Sequence, residues 1–174
     1  VRFDVKIPRG KSQTLTLNIV GSEGSKQENL LIYPTDISML RTGALQFHRR
    51  PEFKHSAVPW VSFDKEKVRL VGTEKEQFKF EIDVPRNATP GEYYVAIMSE
   101  PTKFTNVKSK ERPFMLKMKS RVAIVIVLNV PGRNYEKEGS VIESKVKKDS
   151  GKVHITSTFK NEGNIHLDVQ GKAT

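Results

Sequence analysis

Apolar residues in this chain recur every second position rather than every third or fourth, the period of strands covered on one face. Phe3, Val5 and Ile7 alternate with Arg2, Asp4 and Lys6 until Pro8-Arg9-Gly10 ends the run. Leu15, Leu17 and Ile19 alternate with Thr14, Thr16 and Asn18, closed by Gly21-Ser22-Glu23-Gly24. A third run covers residues 29–34 and continues toward Ile37 and Leu40, and Thr42-Gly43 turns it into 44–47. Shorter apolar stretches follow at 60–63 and 68–71. Phe78, Phe80, Ile82 and Val84 then alternate with Gln77, Lys79, Glu81 and Asp83, which predicts a strand with one buried face. Residues 85–91 punctuate it, and 93–98 form the next strand. The continuous apolar run 121–130, ended by Pro131-Gly132, predicts a strand covered on both faces. No helical stripe is sustained, so helix is expected to stay below about 10%. Seven or eight short strands with turn residues between them predict an all-β, immunoglobulin-like antiparallel β-sandwich.

After Gly132 the pattern starts again. Gly151-Lys152 leads into Val153, Ile155 and Phe159 and then Asn161-Glu162-Gly163-Asn164, much as Gly10-Lys11 leads into Leu15, Leu17 and Ile19 and then Gly21-Ser22-Glu23-Gly24. This parallel divides the chain into an immunoglobulin-like domain, 1–132, and the first strands of a second, incomplete sandwich, 133–174. About 40 residues are too few for a sandwich of roughly 100. Ile165, Leu167 and Val169 are read as continuing its apolar face in a second strand. Such a pair of strands has to borrow cover from the first domain, from a second copy by strand exchange, or from further residues of the chain.

Charge adds a candidate surface. The chain has 30 basic and 20 acidic residues, a net +10. The densest basic stretch is 103–121, where Lys103, Lys108, Lys110, Arg112, Lys117, Lys119 and Arg121 face Glu111 alone. Bounded by Pro101, it reads as an exposed loop. Lys108, Lys110, Arg112, Lys117 and Arg121 are its candidates for binding an anionic polymer, although a solvated loop explains the same charges. A second basic cluster, Arg41, Arg49, Arg50 and Lys54, lies in an irregular stretch. Trp60, the single tryptophan, is either a core anchor or an exposed aromatic that grips a partner.

Other chemistry finds no support in the pattern. The absence of cysteine excludes disulfides, thiolate zinc sites and thiol catalysis. His48 and His55 flank Glu52 in a proline-containing stretch but have no evident third metal ligand, and His154 and His166 fall in separate strand-like runs. Ser62 and Ser99 lack the glycine context of a nucleophile elbow, and there is no phosphate-binding glycine loop. No catalytic residue, metal or cofactor is assigned. The basic stretch has only Phe104 and Phe114 as stacking aromatics, so nucleic acid is not expected as a partner. The longest apolar run, 122–128, is far short of the roughly 20 residues that cross a bilayer.

Residues 60–101 resemble a known module. The Trp60-Val61-Ser62-Phe63 strand, the alternating 78–84 strand and the turn Val84-Pro85-Arg86-Asn87-Ala88-Thr89-Pro90-Gly91-Glu92-Tyr93-Tyr94 are similar to an immunoglobulin-like domain of Gram-positive surface proteins that work with WxL-type proteins. More distantly they resemble the first domain of periplasmic pilus chaperones. The resemblance implies that Pro85 and Pro90 stiffen a turn joining two strands, with Gly91 giving the freedom to enter the second. It also implies that 121–132 closes the module, that 161–167 opens a following domain, and that Arg121 lies near where a chaperone's carboxylate-gripping anchor falls.

The sequence therefore reads first as a non-catalytic extracytoplasmic interaction or adhesion module. Its partner would be a cell-wall polymer or a surface protein. The alternative is a pilus-type assembly chaperone that lends the edge of its 122–130 strand to a client by β-strand addition. An enzyme with a loop-built site ranks third.

Overall fold

The computed structural model describes residues 2–23, 27–40, 42–108, 115–133 and 135–172, the strand residues 106–108 and 115–116 by backbone alone. The strands are β1 (Arg2–Lys6), β2 (Ser12–Val20), β3 (Glu28–Met39), β4 (Leu45–His48), β5 (Val61–Phe63), β6 (Lys67–Leu70) and β7 (Lys75–Asp83). They continue with β8 (Gly91–Pro101), β9 (Thr105–Lys108), β10 (Met115–Met118), β11 (Val122–Val130), β12 (Gly139–Asp149) and β13 (Lys152–Asn161). One 3-10 turn, Val58–Trp60, is the only helical element among the described residues.

Two sheets make the sandwich. One runs β1-β11-β8-β3-β4, with β6 also paired to β3, and the other runs β2-β7-β5. Their inner faces meet through the alternate residues that the two-residue period picks out. Phe78, Phe80, Ile82 and Val84 from the β7 side oppose Ile32, Val95, Ile97, Ile126 and Leu128, all essentially excluded from water. The intervening Lys79, Glu81 and Asp83 are exposed. β11 is covered on both faces at its centre. Ile126 and Leu128 join the core, and Val127 is buried on the other side.

The turn between β7 and β8 carries a hallmark of immunoglobulin-like sandwiches, the tyrosine corner. The Tyr93 hydroxyl donates to the Thr89 carbonyl at 3.0 Å and lies 3.1 Å from the Thr89 hydroxyl. This bond pins the proline-stiffened corner onto the core, where Tyr93 itself is buried. Sheet order and corner together make the fold an all-β, immunoglobulin-like sandwich.

Four features differ from the pattern-based expectation. β1 pairs with β11 in parallel, so the sandwich is not wholly antiparallel. The stretch 103–121 contains strands, since β9 pairs with β10 in place of the expected loop. Third, 165–169 forms no strand; β13 pairs instead with β12. β12 was hidden because a bulge between Val141 and Glu143 breaks its two-residue period. Last, the parallel between the two chain segments covers turns and strands but not pairing. β1 and β2 lie in different sheets, whereas β12 and β13 form their own two-stranded sheet.

Candidate functional site

The end of the tyrosine corner is also the place where the chain beyond Gly132 returns. Gly91 has φ 145°, a conformation that side chains disfavour, and a Cβ there would lie 2.8 Å from the Asn164 carbonyl oxygen. With no side chain at Gly91, the backbones close. The Glu92 N–H donates to the Asn164 carbonyl at 2.8 Å, and the Asn164 amide donates to the Pro90 carbonyl at 3.0 Å. On its other side Asn164 accepts from the Glu136 N–H at 2.9 Å, tying both ends of the β12–β13 hairpin to one point.

Glu92 completes this junction. Its side chain lies on the outer face of the larger sheet, yet the residue is only 6% exposed. The carboxylate accepts from the His166 N–H at 2.9 Å and from the Tyr94 hydroxyl at 2.9 Å, and it lies 2.7 Å from His166 Nδ1. Burial alone raises its pKa, but the backbone and ring of His166 and the Tyr94 hydroxyl outweigh that and hold the carboxyl below its ordinary range. Tyr94 is pushed up, first by burial and then by its bond to Glu92. An open cleft of about 710 Å³ adjoins this junction, with Lys6, Asn129, Tyr135, Lys137 and Asp168 among its walls. Its charges are mixed. The arrangement holds two chain segments together, since Glu92 on β8 accepts from the backbone N–H of His166, 74 positions further along the chain.

A second buried carboxylate, Glu100, sits further along β8. It accepts from the Tyr33 hydroxyl at 3.0 Å and from Arg49 at 3.1 Å, and Lys119 approaches to 3.4 Å. Burial raises this carboxyl too, and Tyr33, Lys119 and Arg49 together bring it below its usual value. Arg49 also lies over the Tyr33 ring, 4.7 Å from its centre. Part of the positive charge of both basic clusters is thus spent on one internal anion.

The structure scatters the sequence candidates. Arg121 lies 3.9 Å from Glu100, at the opposite end of β11 from the Glu92 junction. Lys117 is exposed on β10. Lys108 belongs to β9 by its backbone, while Lys110 and Arg112 lie outside the described residues. Trp60 is half-buried and packs on Tyr93 with ring centres 4.3 Å apart, as a core anchor does. Among the described residues, no three acidic or histidine side chains converge into a metal site. The strand-lending edge of β11 is also mostly taken, since β1 pairs with residues 125–129; among the described residues, Val122, Ala123 and Ile124 have no partner on that side. Glu92, Asn164 and Glu100 went unsingled in the sequence, where each looks like an ordinary polar strand or turn residue. The repeated asparagines of Asn161-Glu162-Gly163-Asn164 were the one available hint of a structured joint.

The largest uncovered feature is the β12–β13 hairpin. Strand alternation puts Val141, Val146, Val153, Ile155 and Phe159 on one face, together with Lys148 opposite Val153, and Lys145, Lys147, Lys152 and His154 on the other. Val146 is 65% exposed and Ile155 54% exposed.

No family model and no curated protein matches the chain. Among solved structures it is similar to the ASH/PapD-like domain 7 of human CEP192, at 9% identity and TM-score 0.44, covering 76% of this chain and 82% of that one. It is similar to the class 5 fimbriae chaperone CfaA at 16% identity and TM-score 0.46, covering 93% of this chain and 64% of CfaA. The CsuC–CsuE chaperone–tip subunit complex of Acinetobacter baumannii Csu pili is similar at 10% identity and TM-score 0.46, covering 92% and 68%.

Proposed function

We propose that the chain is a non-catalytic, extracytoplasmic protein-interaction module in which the sandwich holds out the β12–β13 hairpin for a protein partner. The observation that supports this reading is the hairpin's apolar face. Val141, Val146, Val153 and Ile155 are each more than half exposed, in a strand pair whose other face carries Lys145, Lys147, Lys152 and Lys160. Scattered exposed apolar residues are ordinary, but here five apolar residues gather on one sheet face, with Lys148 the charged residue among them and the Ser144–Ser157 pair in the middle, and such a cluster marks a surface that another layer covers. Removing such a face from water stabilises a complex by about 25 cal/mol per Å². The natural cover is a second sheet about 10 Å away, as in any sandwich. On this reading residues 133–174 are the opening strands of a second sandwich-like layer. An anionic polymer is a poorer match, because it would be drawn to the lysine face and leave the apolar face wet.

Photo-crosslinking separates the two faces. A benzophenone side chain at position 155 should yield a discrete protein adduct in cells that make the chain, and one at position 154 should not. Polysaccharide-sized smears from position 154, or no adduct at 155, would overturn the proposal. A second reading, strand addition to a client, is favoured by the 122–123 segment, which pairs with no described residue on that side and where Val122 is exposed. It predicts that an added strand displaces β1, which hydrogen exchange at residues 3–6 would register.

A further inference from the structure

Among the described residues, every long sheet edge of the sandwich except one carries charge. β1 presents Arg2, Asp4 and Lys6 along its length, and β6 presents Lys67 and Arg69. β4 and β5 are short, at 4 and 3 residues. These are the usual devices that keep sheet edges from pairing with other chains. β2 has none of them. Its 9 residues, Ser12–Val20, include no charge and no proline, and it pairs with β7 in unbroken register from Ser12↔Asp83 to Val20↔Lys75. β2 ends its sheet because β1, the preceding strand, has gone to β11 in the other sheet. Among the described residues no strand pairs with its outer side.

The register shows which groups are left unpaired. Val84 donates to the Lys11 carbonyl, and the Gly21 N–H donates to the Glu74 carbonyl, so odd-numbered residues of β2 turn their peptide groups toward β7. The even-numbered residues Ser12, Thr14, Thr16, Asn18 and Val20 therefore point N–H and C=O outward. Their side chains form the solvent face, while Leu15, Leu17 and Ile19 pack toward the core.

We infer that β2 is a self-association edge, pairing antiparallel with β2 of a second copy about a two-fold axis at Thr16. This register is self-complementary. It sets Thr16 against Thr16, Thr14 against Asn18 and Leu15 against Leu17, and it places the outward N–H groups opposite outward carbonyls. Threonine pairs across strands are favourable, and no like charges meet. A second copy suits this edge despite the net charge of +10. β7, the strand behind it, sets Lys79 beside Thr16 and Glu81 beside Thr14, so the charges nearest the axis are of both signs and lie one strand behind the paired edges. The contact is a single backbone ladder, and the dimer is correspondingly weak and concentration-dependent. The inference is independent of the hairpin reading and uses a different surface.

The test is sedimentation velocity of the full chain over an about hundredfold dilution series, paired with hydrogen exchange. A monomer–dimer equilibrium is expected, with the Thr14, Thr16 and Asn18 amides protected only in the dimer. Thr16→Lys and Thr16→Glu should each weaken association at least about tenfold, with an unchanged melting temperature showing that the fold is intact. Mixing the two variants should restore a dimer, because opposite charges then face each other at the axis. A chain monomeric at every concentration would overturn the inference. So would a dimer that survives both Thr16 variants, or one lost instead in a Val146→Lys, Ile155→Lys double variant.

Discussion

β7 and β13 are written in nearly the same way and end in opposite environments. Lys75-Glu76-Gln77-Phe78-Lys79-Phe80-Glu81-Ile82-Asp83 and Lys152-Val153-His154-Ile155-Thr156-Ser157-Thr158-Phe159-Lys160-Asn161 both alternate apolar with polar residues. In β7 the apolar positions have lost essentially all contact with water, whereas in β13 Val153 and Ile155 remain more than half exposed. The difference is one of neighbours. β7 is the middle strand of its sheet and faces a second sheet; among the described residues β13 has one strand partner and no sheet opposite. Alternation specifies a face, and only the rest of the fold supplies something to lay against it.

The sharpest way to break this comparison is to truncate the same kind of residue in both strands. Phe80→Ala should destabilise the protein by roughly 3–5 kcal/mol, because it empties a filled core site. Ile155→Ala should change stability by less than about 0.5 kcal/mol, the range of surface substitutions. Urea unfolding measures both. Equal losses would mean that the hairpin face is covered in solution.

The junction between the two regions comes next. Gly91→Val combines a disfavoured backbone conformation with a clash on Asn164, and should cost about 1–3 kcal/mol. It should also raise the exchange rate of the Glu92 amide, which Asn164 protects. A stability loss without faster exchange there would place the damage in the corner alone.

Acid should weaken the sandwich through its two buried carboxylates. Both Glu92 and Glu100 are held below the ordinary value of 4.5, so the unfolded chain binds protons more readily than the folded one. Their stabilisation is complete above pH 4.5 and is lost as pH falls through their lowered folded values. His55, lowered from 6.5 first by burial and then by Lys54, acts in the same direction from a higher pH. Thermal unfolding between pH 7 and 3 should show the decline, and Glu100→Gln should flatten its acid limb. An unchanged limb in that variant would contradict the assignment.

The smallest expected effect is Tyr93→Phe, which removes the corner hydrogen bond and should cost about 1 kcal/mol. Its melting temperature, set beside that of the original chain, sharpens the comparison by showing how much of the sandwich's advantage lies in its corner.

Much of the sandwich was legible because a strand's period is local. β2, β7 and β8 and their buried faces follow from residues two positions apart, and the proline-glycine corner follows from the backbone limits of those residues. β12 escaped because its bulge shifts the period within the strand. The candidate site was barely legible. Glu92 and His166 are 74 positions apart, and nothing near either residue signals the other. Sequence shows the charge of Lys119 and Arg121 without showing the Glu100 that lies beside both.

The sequence by itself determined that this protein is made of strands, which face of most of them is apolar, and where the chain turns, since each depends on neighbours along the chain. Tertiary structure alone decided that β1 lies parallel to β11, that β2 is left as an uncharged edge, and that a buried carboxylate ties the hairpin to the sandwich. It alone decided that Val146 and Ile155 on the hairpin stay more than half exposed. Those outcomes depend on which strands meet across long stretches of chain, and pairing of that kind is set by the packing of the whole fold and not by any local pattern.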